Sequence, residues 1–121
     1  MPARKPDPEG EASVTVVGAA LDRGEEPERA AVRSAARFLL HELERVRPGR
    51  SVEVRVVPVA AVQAVEGPRH TRGTPPNVVE MDPVTWFKLA TGRLIWAEAV
   101  RTGTVRASGA RSDLSPYLPL T

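Results

Sequence analysis

Between Pro27 and Arg47 the apolar residues Val32, Ala35, Leu39, Leu43 and Val46 recur every three or four positions. That spacing gathers side chains on one face of an α-helix. Phe38 and Leu40 widen the face, whereas Arg33, Arg37, Glu44 and Arg45 lie off it, and His41 reads as an ordinary half-exposed helix residue. Glu25, Glu26 and Glu28 suit the positive end of the helix dipole, and Pro48-Gly49 ends the run. The pattern predicts a helix over 27–47.

The period then shortens to two. Val52, Val54 and Val56 alternate with Glu53 and Arg55, which predicts a half-buried strand over 51–57. Pro58 separates it from a second apolar run, Val59–Val65, as expected of a turn or irregular hairpin, because proline cannot donate to a ladder. Glu66–Pro76 holds two Gly and three Pro and reads as a stiff loop; Asn77–Met81 reads as a short strand. Asp82-Pro83 is a strong helix start, giving a helix to Thr91 that ends at Gly92. A shorter helix over 95–101 ends at Gly103, a strand follows over 104–108, and 112–118 makes a closing helical turn or two.

The N-terminal region is less decided. Residues 1–11 are proline-rich and charged and are expected to be a disordered tail. Within Ala12–Leu21, Ser13–Val17 has strand character and Val17–Leu21 suits a short helix. Strands both adjacent in sequence and separated by helices predict an α+β fold, with helices on one face of a mixed sheet.

Composition narrows the classes. A length of 121 residues fits one domain, expected over 12–121. With no cysteine, disulfides, thiol catalysis and cysteine–zinc sites are excluded. The longest uncharged runs, Ala12–Leu21 and Val56–Val65, are ten residues, against about 20 for a membrane-spanning helix. Met1–Pro8 has no apolar segment beside its charges, so the expected location is cytoplasmic. The net charge is only +2 although the pI is 9.7, because 15 of the 17 basic residues are Arg. That balance gives no argument for nucleic acid, and no aromatic residue is interleaved with Arg69 and Arg72 to stack bases.

Candidate chemistry is sparse. His41 and His70 are too far apart to suggest a metal site, and neither a Gly-x-Ser-x-Gly elbow nor a glycine-rich phosphate loop occurs. No cofactor, metal or catalytic residue is therefore expected. Two features remain. The loop at 67–76 carries Arg69, His70 and Arg72, whose guanidinium groups suit a carboxylate or phosphate; the competing reading pairs them with Glu66 and Glu80 to hold the loop together. The second feature is a concentration of bulky apolar residues: Trp86, Phe87, Leu89, Leu94, Ile95, Trp96 and Val100 on two short helices. They can form a core or wall a small apolar pocket. Four of the five aromatic residues lie after residue 85.

The stretch Val78–Gly109 resembles the C-terminal half of the sterol carrier protein family, with Asp82, Gly92-Arg93-Leu94, Ala99, Gly103 and Ser108-Gly109 in the corresponding order. The segments Pro48–Val56, Ala61–Asn77 and Asp113–Leu120 are similar to its small bacterial branch. The resemblance implies a five-stranded sheet covered by helices, an apolar tunnel for sterols, acyl chains or similar lipids, and no catalysis. One departure stands out: a Pro/Gly/Arg loop occupies 67–76, where the family places a third strand, so a four- to five-stranded sheet is expected.

These readings converge on a non-enzymatic carrier for a small apolar ligand. Its expected wall is Phe38, Leu39, Trp86, Phe87, Leu94, Trp96 and Val100, with Arg69, His70 and Arg72 near a polar head group. The alternatives are a protein-interaction module with a filled core that uses the 67–76 loop or Pro116–Leu120, and an acid–base enzyme using His70. Neither nucleic acid nor stable membrane insertion is expected.

Overall fold

The computed structural model describes residues 5–67 and 77–120. The chain opens with a helical pair, α1 (Pro8–Asp22) and α2 (Arg29–Val46). Strands β1 (Val52–Val56), β2 (Ala60–Ala64) and β3 (Asn77–Met81) follow, then helices α3 (Pro83–Ala90) and α4 (Trp96–Thr102), strand β4 (Val105–Ser108) and a 3₁₀ turn over Ser115–Tyr117.

Helix α1 replaces both the disordered reading of residues 8–11 and the strand reading of 13–17. Asp7 starts it: its carboxylate accepts the Gly10 amide at 2.9 Å, and Pro8 occupies the first turn. The β-branched residues that suggested a strand are accommodated because α1 lies along α2, where Val17, Gly18 and Ala20 are buried. Local strand propensity is weak enough for such packing to override it. Close approach sets the helix sequence: a Cβ on Gly18 would stand 2.8 Å from the Arg93 guanidinium.

Helix α2 follows its predicted stripe, burying Val32, Ala35, Leu39, Leu40 and Leu43 together with Ala36. Val46 departs from it: as the last helical residue it is 41% exposed, the stripe outrunning the layer beneath.

The four described strands form one mixed sheet in the order β2-β1-β3-β4. β1 pairs antiparallel with β2 and parallel with β3, and β3 pairs antiparallel with β4. Period-two alternation puts Val52, Val54, Val56, Val62, Ala64, Val79, Met81 and Val105 into the core. The other face carries Glu53, Arg55, Gln63, Glu80 and Arg106. Glu80 lies opposite Arg106 and accepts a hydrogen bond from it across the β3–β4 ladder.

The turn into β1 depends on a glycine. Gly49 adopts φ 153° where a Cβ would lie 2.1 Å from the Val65 carbonyl oxygen. That carbonyl accepts the Ser51 amide, and the Val65 amide donates to Arg47, so the ends of α2 and β2 are tied together there.

Candidate functional site

The apolar interior is built on α3. Asp82 accepts the Thr85 amide at 2.8 Å and Pro83 occupies the first turn, which directs Trp86, Phe87, Leu89 and Ala90 inward beneath α2. Trp86 is fully buried, and its indole Nε1–H donates to the Ala36 carbonyl at 3.1 Å, meeting the need of a buried ring nitrogen. Leu39 and Phe87 are buried in the same cluster.

Phe87 marks the edge of this interior. The Arg93 guanidinium lies 5.6 Å from its ring centroid and donates two hydrogen bonds to Asp22, at 3.0 and 2.9 Å. The Arg93 hydrogen bonds hold the Asp22 carboxyl below the usual aspartate range, against a smaller opposing effect of desolvation. The latch links the α3–α4 connection to the end of α1, and Gly18 leaves the space it crosses.

Helix α4 is a thinner element. Ile95 stands at its N-cap without a side-chain hydrogen bond, and Ala99 is the residue it buries. Leu94 and Trp96 pack partly buried against the core, while Ile95 is 70% and Val100 45% exposed. The C-terminal segment also closes over α3. Leu114 is buried, the Leu120 amide donates to the Ala90 carbonyl at 2.8 Å, and Tyr117 lies beneath the Arg47 guanidinium.

The expected ligand wall therefore divides. Leu39, Trp86 and Phe87 share the buried interior, and Leu94 and Trp96 lean against it from outside. Val100 faces outward on α4. Phe38 points toward α1: a Cβ on Gly10 would stand 2.9 Å from the Phe38 Cβ, and Phe38 lines an open groove of about 450 Å³ with Lys5–Pro8, His41 and Arg45. Arg69, His70 and Arg72 lie outside the described residues. Further open grooves run along the start of α3, one of about 400 Å³ between Arg29, Arg33, Pro58 and Val84. The sequence reading missed this last site, although Arg29 and Arg33 stand one helical turn apart beside proline-rich turns.

Among the described residues no three His, Asp or Glu side chains gather as a metal site. His41 Nδ1 lies 3.4 Å from Glu44, its neighbour one turn on. No helix is long and apolar enough to cross a membrane.

A mixed sheet with helices on one face, an alternating charged outer face and a sealed aromatic interior defines an α+β fold of the sterol-carrier-like kind. The family model described as "Bacterial SCP ortholog" matches residues 28–120, and the chain belongs to that family. The match begins at α2, so helix α1 precedes it. No curated protein matches the chain.

Proposed function

We propose that the protein is a non-enzymatic binding or carrier domain for a small apolar ligand of lipid, acyl or sterol-like character. The observation that carries this reading is the contrast between a dense aromatic interior beneath α2 and the thinly packed α4 alongside it. Trp86 and Phe87 are fully buried, yet neighbouring α4 buries Ala99 and turns Ile95 and Val100 outward. A ligand enters by displacing α4, so that Leu39, Trp86 and Phe87 form the floor and Leu94, Trp96 and Val100 the movable wall. Phe38 lines the outer groove beside α1 and contributes through that helix. Arg69, His70 and Arg72 receive the polar head group. Membership of the family supports a lipid-carrier role of this kind, and the working compartment is the cytoplasm.

A second reading draws on the same burial. Leu39, Trp86 and Phe87 are at most 1% exposed, which suits a filled core and a protein-interaction module acting through the 67–76 loop. Native mass spectrometry of the protein purified from its own host separates the two, followed by titration with a fluorescent acyl probe. A co-purifying lipid, or saturable one-to-one probe binding that perturbs tryptophan emission, supports the carrier. A ligand-free mass together with no saturable binding favours the filled core.

A further inference from the structure

Six of the twelve described arginines pair with a carboxylate. Arg23 is bonded to Glu25, Arg45 to Glu42, Arg93 to Asp22 and Arg101 to Glu98, while Arg55 pairs with Glu53 and Arg106 with Glu80. The side chains of Arg29 and Arg33, like that of Arg37, make no hydrogen bond or ion pair among the described residues, and of the three only Arg29 and Arg33 line the groove at the start of α3. They stand four positions apart on α2, a spacing that places side chains side by side along a helix.

The two flank the groove of about 400 Å³ where the α1–α2 loop, the β1–β2 turn and the start of α3 meet. Val32, Val84, Pro27, Pro58 and Pro83 supply its apolar lining. Three prolines and two β-branched residues have little conformational freedom to lose when a ligand settles against them. The volume lies within the range of small-molecule sites, about 300–1,000 Å³. Two carboxylates also line the groove. Asp82 gives Oδ1 to the Thr85 amide but keeps its charge and its second oxygen, so exposed Glu26 and Asp82 both compete for the arginines.

We propose that this groove binds a compact organic anion, a carboxylate or phosphate ester with an apolar ring or branched body. Arg29 and Arg33 clamp the anionic group, and the proline–valine lining takes the body. Guanidinium forks match the planar or tripodal oxygens of such groups, which a neutral analogue lacks. The site is separate from the aromatic interior beneath α2, so it stands or falls independently of lipid carriage.

The test is an amide-resolved NMR titration of the full chain with phenyl phosphate, benzoate, benzyl alcohol and inorganic phosphate. The expected result is saturable shifts at Arg29, Arg33 and Val84. At least one of the two aromatic anions should bind about tenfold or more tighter than benzyl alcohol or inorganic phosphate. The better of phenyl phosphate and benzoate then identifies the head group. R29Q or R33Q should weaken binding about tenfold and E26Q should tighten it, while R37Q, one turn beyond the groove, should leave it unchanged. These surface variants leave the core intact, which the same spectra verify. Equal binding of benzyl alcohol, indifference to R29Q and R33Q, or an equal loss in R37Q would each overturn the proposal, the last by revealing diffuse charge attraction.

Discussion

Helices α3 and α4 are close neighbours in sequence, each about two turns long and each carrying tryptophan. Their surroundings differ. α3 begins with a capping aspartate and a proline and buries Trp86, Phe87, Leu89 and Ala90 beneath α2. α4 has no side-chain cap, packs against β4, and buries Ala99. Apolar content alone therefore did not decide burial. The registration of each helix over its support did, and α4 keeps large apolar side chains at the surface. A segment with few buried contacts opens at lower free-energy cost than one anchored in the core.

The sharpest way to break this contrast is to truncate its two tryptophans. Trp86→Ala removes a fully buried ring together with the indole N–H that the Ala36 carbonyl accepts, and should cost about 3–5 kcal/mol in denaturant unfolding. Ala99→Leu should come next. It overpacks the residue on which α4 seats, should cost about 1–3 kcal/mol, and should raise hydrogen exchange in α4 while leaving α3 protected. Trp96→Ala, at a partly buried position, should cost about 1 kcal/mol. Equal losses in the two tryptophan variants would mean that α4 is as firmly anchored as α3.

Asp22→Asn should have the smallest effect on global stability, because the ion pair it breaks is solvent-exposed. Its signature is local: faster exchange at the end of α1 and in the α3–α4 connection. The pH dependence follows from the lowered Asp22 carboxyl. A group whose folded pKa is depressed contributes stability above its unfolded pKa and loses it as pH falls through the folded value. The latch should thus be complete at neutral pH and weaken below about pH 4, the ordinary aspartate range. Protection of the wild-type connection, measured relative to the intrinsic exchange rate at each pH, should fall over that interval, and that of the Asn variant should not change with it.

Much of the architecture was legible because it rests on short-range rules. The α2 stripe, the alternation in β1, the Asp82-Pro83 start and the strand at 77–81 all appear where the residue pattern puts them. Helix α1 was missed although Asp7-Pro8 repeats the signal of Asp82-Pro83, and both aspartates cap the amide three residues on. A run of β-branched residues obscured that start. The site was less legible. Trp86 and Phe87 were recognisable as bulky and apolar, but no spacing rule says that Phe38 turns to α1 while Leu39, its immediate neighbour, enters the core.

The sequence by itself determined the element order from α2 onward, the strand faces, the Asp82 cap, the absence of thiol chemistry and the resemblance to a carrier family. Those follow from periodicity and from residue types acting over a few positions. Tertiary structure alone decided that α1 docks on α2, that Glu80 pairs with Arg106, that α3 is sealed while α4 lies open, and that Arg29 and Arg33 flank a groove. Each of these depends on segments distant in the chain, brought together by the burial of a common core.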